Sequence, residues 1–315
     1  MSLHQHSDVL RVIVLAGGDS PERDVSARSG RSVTAALEAG GHRASLIDPA
    51  ECLLDDGPWS EVDACFIALH GGAGEDGRVQ RHLERLGVPY TGSGVEASRL
   101  AMSKSASKQR FLVHGVPTPP YEWIAEHEHP TDVAARVAPL GYPLVIKPDA
   151  QGSSVGVAIA DGPDQLAQAI AEARSAGGPC LAEPLVRGRE FTVALIDDVP
   201  LPTIEIVTPE PVFSYDAKYH SSLTEYRFDF QLADAYRDAI QGAAIAAAEA
   251  LGTSGLARVD VMLSHDGRPW VLEVNTIPGM TVRSLAPLAA ARAGIDMPEL
   301  CEMLVRRCLV STGAL

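Results

Sequence analysis

The chain has few lysines. Of its 26 basic residues only Lys104, Lys108, Lys147 and Lys218 are lysine; the rest are arginine. Where arginine is the default, a lysine marks a place that wants a compact point charge. Positive charge is short overall, with 26 Lys and Arg against 41 Asp and Glu in 315 residues, a net charge of −15. That balance argues against a nucleic-acid or anionic-membrane partner, because both need a basic footprint. No apolar run approaches the roughly 18 residues of a transmembrane helix. The stretch Met1 to Leu15 lacks a basic n-region and a long apolar h-region, so no secretory signal is expected. The five cysteines, Cys52, Cys65, Cys180, Cys301 and Cys308, are odd in number and show no CxxC spacing. They form neither a disulfide frame nor a zinc site, and a reducing cytoplasm is the expected compartment. What remains is ordinary globular composition, 46% apolar and 21% charged. The length suits two or three domains with cores that need no staples.

Residues 9 to 100 alternate between strand and helix patterns. Val9 to Ala16 is an apolar run ending in Gly17-Gly18. Val25 to Gly40 carries Val33, Ala36 and Leu37 on a helical stripe. Ala44 to Ile47 and Ala64 to Leu69 read as strands, and Arg78 to Leu86 as a helix stopped by Gly87. This βαβ order implies a parallel sheet. A break falls near Ser93 to Lys104. A second unit then holds the stiff Val116-Pro-Thr-Pro-Pro120 connector and strands at Leu144 to Lys147 and Val155 to Ala160 around a Gly/Ser loop. The third stretch begins near residue 191. It includes an alanine-rich helix at Tyr236 to Leu251 and a helix start at Asp296, with Glu299 in the capping-box place. Val207 to Gln231 lacks periodicity and is long for a structureless connection.

Arg258-Val-Asp-Val-Met-Leu263 and Pro269-Trp-Val-Leu-Glu-Val-Asn275 flank Asp266-Gly267. Asp-Gly between alternating apolar runs predicts a hairpin with a two-residue type I′ turn. That turn sets Asp260 opposite Glu273 and Arg258 opposite Asn275, all on one side of the sheet. Facing carboxylates repel. A bound cation would relieve them, and Asp, Glu and Asn oxygens are hard ligands of the kind Mg²⁺ takes beside phosphate. The bland alternative is a solvated face on which Arg258 neutralises a carboxylate. Lys147 ends an apolar strand before Gly152-Ser-Ser-Val-Gly156, a loop whose small residues let backbone N–H groups approach a phosphate. An ordinary glycine hairpin reads equally well. Glu183 and Glu190 stand seven apart around a turn and by themselves suit a solvated loop. Gly17-Gly-Asp-Ser-Pro-Glu22 lies at a strand end and helix start, a place for anions, but it is not a GxGxxG fingerprint. Glu22 could hold an amine or simply complement the helix dipole. His70 opens a loop, His70-Gly-Gly-Ala-Gly-Glu-Asp-Gly77, too rich in glycine to be packing alone.

Together these pieces resemble the D-alanine–D-alanine ligase family of the ATP-grasp superfamily. The resemblance rests on Ser20-Pro-Glu-Arg-Asp-Val-Ser26, Ala68-Leu-His-Gly with Gly74-Glu-Asp-Gly77, and Tyr90-Thr-Gly-Ser-Gly94. It continues through Lys147-Pro with Gly152-Ser-Ser-Val-Gly156, Glu183 with Glu190-Phe-Thr-Val, and Ala217-Lys-Tyr219. Arg258-Val-Asp-Val-Met262 and Glu273-Val-Asn-Thr with Pro278-Gly-Met complete it. It implies an α/β ATP-grasp fold: a Rossmann-like parallel-sheet domain at 1–103, a central ATP-grasp domain at 104–190 and a C-terminal catalytic domain at 191–315, the last two α+β and clasping ATP. It implies ATP-dependent joining of two D-alanines through an acyl phosphate, in the cytoplasm, for peptidoglycan precursors, by a homodimer. ATP would take Lys104 and Lys147 at its phosphates, Glu183 and Val186 at its adenine and Glu190 at its ribose. Asp260, Glu273 and Asn275 would hold Mg²⁺, two ions or Mn²⁺ in its place. Glu22 would bind the first substrate's ammonium, with Ser153 and Tyr219 beside it and Tyr219 on a mobile loop. His70, Arg258 and Gly279 would surround its carboxyl, and Lys218 and Ser284 would contact the second substrate.

The chain departs from the family pattern at four places. Ser103 stands where Asp is usual, Pro184 replaces a common Lys, Arg227-Phe-Asp229 replaces a Pro-Ala pair, and Arg283 adds a charge before Ser284. They motivate two alternatives, a ligase of the same chemistry with another amino acid or a hydroxy acid as acceptor, and a nucleotide-binding protein without turnover. A Rossmann oxidoreductase is disfavoured by the missing GxGxxG.

Overall fold

The computed structural model describes residues 9–209, 223–311 and 313. The chain forms two compact units. One takes residues 1–95, 254–257 and 276–315, the other 96–253 and 258–275.

The first unit is built on a parallel three-stranded sheet of order β2-β1-β3, from β1 (Arg11–Leu15), β2 (Arg43–Ile47) and β3 (Ala64–Ile67). Val12 pairs with Ala44 on one side and Ala64 on the other. Central β1 is buried on both faces, which explains its unbroken apolar run. The helix Arg23–Ala39 buries Ser26, Ser29, Gly30, Val33, Ala36 and Leu37, the stripe expected from its period. It begins two residues before the expected start. The helix Arg78–Leu86 ends at Gly87, whose φ of +68° gives a left-handed cap. Asp296 caps the helix Met297–Ser311, accepting from the Glu299 N–H at 2.9 Å. Cys65, Cys180, Cys301 and Cys308 are buried, Cys52 is exposed, and all five are free thiols.

At Gly30 the helix packs tightly against the residue that follows β1 and against β2. A Cβ there would lie 2.2 Å from the Ala16 Cβ and 3.1 Å from a Leu46 methyl. Alanine would gain about 0.5–1 kcal/mol of helix propensity, while overpacking a tight contact costs about 1–3 kcal/mol. Gly30→Ala is therefore expected to lower the urea midpoint of unfolding. An unchanged or higher midpoint would mean that the helix can move away from β1.

The second unit contains two sheets. The smaller, of order β4-β7-β5-β6, is antiparallel and uses β4 (Glu122–Ile124), β5 (Leu144–Pro148), β6 (Ala158–Ala160) and β7 (Cys180–Pro184). Its core gathers Ile124, Val133, Val137, Ile146 and Ile170, the valines and Ile170 coming from helices Pro130–Val137 and Leu166–Ser175. β6 is shorter than the strand expected from Val155. Ser153 and Ser154 take φ of 51° and 58°, and two left-handed residues in succession carry the chain away from extended geometry before Ala158. The larger sheet has order β11-β10-β8-β12-β13, with β9 (Val199–Pro200) attached to β8. Its strands are β8 (Gly188–Ile196), β10 (Ile204–Val207), β11 (Glu225–Arg227), β12 (Leu256–Ser264) and β13 (Pro269–Asn275). Helix Asp234–Leu251 supplies Ile240, Ala244, Ala247 and Leu251 to the core beneath it, where they meet Phe191, Val193 and Val261. Small alanines allow that close packing.

The β12–β13 hairpin keeps the expected pairs and discards the expected turn. Arg258 faces Asn275 and Asp260 faces Glu273, but Val261 faces Val271, one residue out of step. The Ser264 N–H bonds the Arg268 carbonyl, and the Gly267 N–H bonds Ser264. His265, Asp266 and Gly267 thus make a three-residue loop with Gly267 left-handed at φ +82°. A type I′ turn needs positive φ at both central residues, and Asp266 does not adopt it. The register shift at Asp260/Val261 leaves Leu272 as the extra residue of a bulge, which restores the pairing nearer the sheet's other end.

Candidate active site

In the second unit the two sheets face each other across a cleft of about 810 Å³, partly open to solvent. Its apolar lining comes from Val145, Val157, Leu185, Val186, Met262 and Leu272. Polar groups gather beside it: Lys104, Lys147, Glu183, Glu190, Asp260 and Glu273 all line the same space. Strand alternation accounts for this. Val145 and Lys147 are two apart on β5, and Glu183 faces Val145 from β7.

Glu183 is the electrostatic centre of the cleft. It is buried, with the Lys147 ammonium 2.8 Å from Oε2 and the Lys108 ammonium 3.1 Å from Oε1. Burial by itself would raise its pKa, but the two lysines outweigh that and hold the carboxyl below its usual range. Burial pushes Lys108 down to about 8, against the pull of Glu183 and with the repulsion of Lys147. Lys104 donates to the Gln151 carbonyl at 2.5 Å and lies 3.9 Å from Glu273 Oε2.

The opposed acids do not depend on a metal for neutrality. Arg258 clasps Asp260 from its own strand, Nε to Oδ1 at 2.9 Å and Nη2 to Oδ2 at 2.8 Å. Thr192 Oγ1 donates to Asp260 Oδ1 at 2.6 Å. Lys104 approaches Glu273 from the other side. A cation of the chain thus stands beside each of the two acids. No cluster of three or more Asp, Glu, His or Cys able to hold a metal is found among the described residues.

Asp149 went unnoticed in the sequence. It is buried and accepts from the Ser105 N–H at 2.7 Å, Ser103 Oγ at 3.0 Å and Ser105 Oγ at 3.0 Å. Its own carbonyl takes the Lys104 N–H at 2.9 Å. Ser103 is the N-cap of helix Lys104–Val113, accepting from the Ala106 N–H. A carboxylate at 103 would confront Asp149, so serine there matches its neighbour and Lys104 stays anchored. Pro184 ends β7, and the N–H it lacks is not missed: Leu185 makes the link to the Pro143 carbonyl instead. Arg227 on β11 pairs with Glu225 of the same strand.

Glu22, His70, Gly279 and Ser284 lie in the first unit, and Ser153 and Asn275 in the second. Ser20 Oγ donates to the His70 carbonyl at 2.5 Å and accepts from the Glu22 N–H at 3.2 Å. Glu22 is buried and its Oε2 lies so near Gly71 that a Cβ there would sit 2.9 Å away. Ser29 was missed although it falls within the helix's apolar stripe, where a buried hydroxyl must find partners. Its Oγ lies 3.0 Å from His70 Nε2 and accepts from the Met280 N–H at 3.2 Å. Glu75 approaches the other ring nitrogen of His70 at 3.8 Å and accepts from the Gly71 N–H. Ser284 Oγ folds back on Thr281, accepting from its N–H at 3.1 Å. Gly279 lies beside it, where a Cβ would be 2.8 Å from Ser284 Oγ. Arg283 is exposed. Lys218 and Tyr219 lie outside the described residues.

Family models for the D-ala D-ala ligase C-terminus and N-terminus match residues 111–306 and 49–93. The D-alanine–D-alanine ligase of Gloeobacter violaceus is 44% identical over 305 residues, covering 95% of this chain and all of that protein. That of Stutzerimonas stutzeri is 44% identical over 290 residues, covering 92% and 91%. The crystal structure of the D-alanine–D-alanine ligase from Bacillus anthracis complexed with ATP superposes with a TM-score of 0.85 at 31% identity, over 97% of this chain and 99% of the other.

Proposed function

The chain belongs to the D-alanine–D-alanine ligase family, and from that premise we propose that it joins two D-alanines to D-alanyl-D-alanine at the expense of ATP, for peptidoglycan precursors. One observation of the structure supports this most strongly: an apolar slot, two lysines and two opposed carboxylates line a single cleft. The slot suits a purine. Glu183 and the backbone at Val186 take its amino edge, Glu190 the ribose, and Lys104 and Lys147 the phosphates. Each lysine is now bound within the chain and would turn to the triphosphate. Asp260, Glu273 and Asn275 are oxygen donors on adjacent strands, a set that fits a hard cation beside phosphate. When bound, Mg²⁺ would neutralise charge on the transferring phosphoryl group.

The γ-phosphoryl passes from ATP to a carboxylate oxygen of the first D-alanine, releasing ADP and leaving an acyl phosphate. Glu22 binds that substrate's ammonium, and His70, Ser153 and Tyr219 complete its surroundings. The amine of the second D-alanine, its carboxylate held by Lys218 and Ser284, attacks the acyl carbon. Arg258 and the Gly279 N–H stabilise the tetrahedral oxyanion. Its collapse expels phosphate and forms the amide. No enzyme nucleophile is required. The working assembly is a homodimer, a size that light scattering reads directly. Incubation with ATP, Mg²⁺ and D-alanine is expected to release phosphate and yield a product of dipeptide mass. Phosphate release without dipeptide, or ester formation with a hydroxy acid in preference to the amide, would overturn the assignment.

A further inference from the structure

The mechanism above leaves Lys108 without a task. Its side chain is fully buried at 1% exposure, and it is the largest side chain so enclosed among the described residues. Its ammonium donates to Thr118 Oγ1 at 2.7 Å and the Pro119 carbonyl at 2.9 Å, and lies 3.1 Å from Glu183 Oε1. The Thr118 hydroxyl proton is committed to the Val271 carbonyl at 2.9 Å, so it can only accept from Lys108. Two hydrogen-bond acceptors and a carboxylate at ion-pair distance therefore surround a group with three protons and no lone pair. This is the socket of a lysine held charged in the interior, against the burial that favours its neutral form.

One carboxylate thus has two lysines. Neutralising Glu183 takes one, and Lys147, the other, is the residue that would turn to the triphosphate. A buried carboxylate abandoned by its only cation takes up a proton. The protonated form donates a hydrogen bond, whereas the ionised form only accepts. The difference decides which base the cleft reads, because the amino group of a 6-amino purine is a donor and the oxygen of a 6-oxo purine an acceptor.

We propose that Lys108 is a specificity-determining positioning residue that keeps Glu183 ionised and aimed at the slot, so that the cleft accepts a 6-amino purine triphosphate and rejects a 6-oxo one. This rests on the reading that ATP binds here with its base at Glu183. Lys108 acts through Glu183 and touches neither nucleotide nor amino acid.

The test is steady-state kinetics with ATP and with ITP for the intact enzyme and for Lys108→Met, Glu183→Gln and the double variant. Lys108→Met is expected to raise KM for ATP with kcat within about threefold, and to lower the ATP-to-ITP ratio of kcat/KM by roughly tenfold or more. Glu183→Gln should relax the preference comparably, since an amide can accept or donate, and the double variant should add nothing further. Lys108→Gln loses the charge but can still donate to Thr118 or Pro119, and should show the same relaxation if the methionine variant fails to fold. An equal loss on both nucleotides, or an unchanged preference in both lysine variants, overturns the proposal. If Glu183→Gln alone relaxes the preference, the base is at Glu183 and only the role of Lys108 falls. If Glu183→Gln leaves the preference intact, the placement of the base falls and the proposal with it.

Discussion

Replacing Arg258 with lysine is expected to leave a folded protein that turns over about 10²–10³-fold more slowly, the loss typical of one preorganised oxyanion donor. Arg258 commits Nε and Nη2 to the two oxygens of Asp260 at 2.9 and 2.8 Å. The planar fork has further N–H groups, so one guanidinium can hold Asp260 and still aim a donor at a developing oxyanion. An ammonium keeps the charge but cannot reproduce that geometry. Lysine therefore isolates the directional role. Methionine would not, because it strands the buried Asp260 with the Thr192 hydroxyl, and removing one partner of a buried ion pair costs about 3–5 kcal/mol. Melting temperature and single-turnover rate measured on both variants should separate these losses. A lysine variant with the full rate would remove Arg258 from the oxyanion.

The hairpin shows what a sequence can and cannot disclose. Opposition of Asp260 and Glu273 was legible because period-two alternation and an Asp-Gly turn fix which residues share a face. The turn itself was misjudged by one residue, and the bulge at Leu272 cancelled the error. Bulges leave no local signature when the inserted residue is apolar like its neighbours. Elements of strong period, such as the helices at Arg23–Ala39 and Asp234–Leu251, lie within two residues of expectation. The partners of the site residues were hidden for a different reason. Lys108 and Glu183 are 75 positions apart by number but 3.1 Å apart in space, and Ser29 meets Met280 across a greater stretch of chain. Only tertiary packing brings such pairs together, and a single sequence has no spacing rule for them. The scarcity of lysine was an indirect clue, since Lys104, Lys108 and Lys147 all meet a carboxylate at the cleft.

Glu273→Gln and Asp260→Asn should each reduce ATP turnover by about a hundredfold or more at a fixed magnesium concentration, as expected if each residue supplies a ligand to the ion that offsets charge on the phosphoryl group. Their magnesium dependence should differ. Asp260 also anchors Arg258, so an amide in its place turns an NH₂ group toward guanidinium donors and disturbs the oxyanion donor as well. Extra magnesium can refill a weakened site but cannot restore Arg258. Glu273, on the facing strand, lies 3.9 Å from Lys104. Raising magnesium should therefore recover much of the rate for Glu273→Gln and little for Asp260→Asn; Glu273→Gln should melt within a few degrees of the parent, whereas Asp260→Asn, which breaks the buried pair with Arg258, should melt lower. A Glu273→Gln enzyme with parental turnover and parental magnesium dependence would remove Glu273 from the metal and leave it as a counter-charge for Lys104.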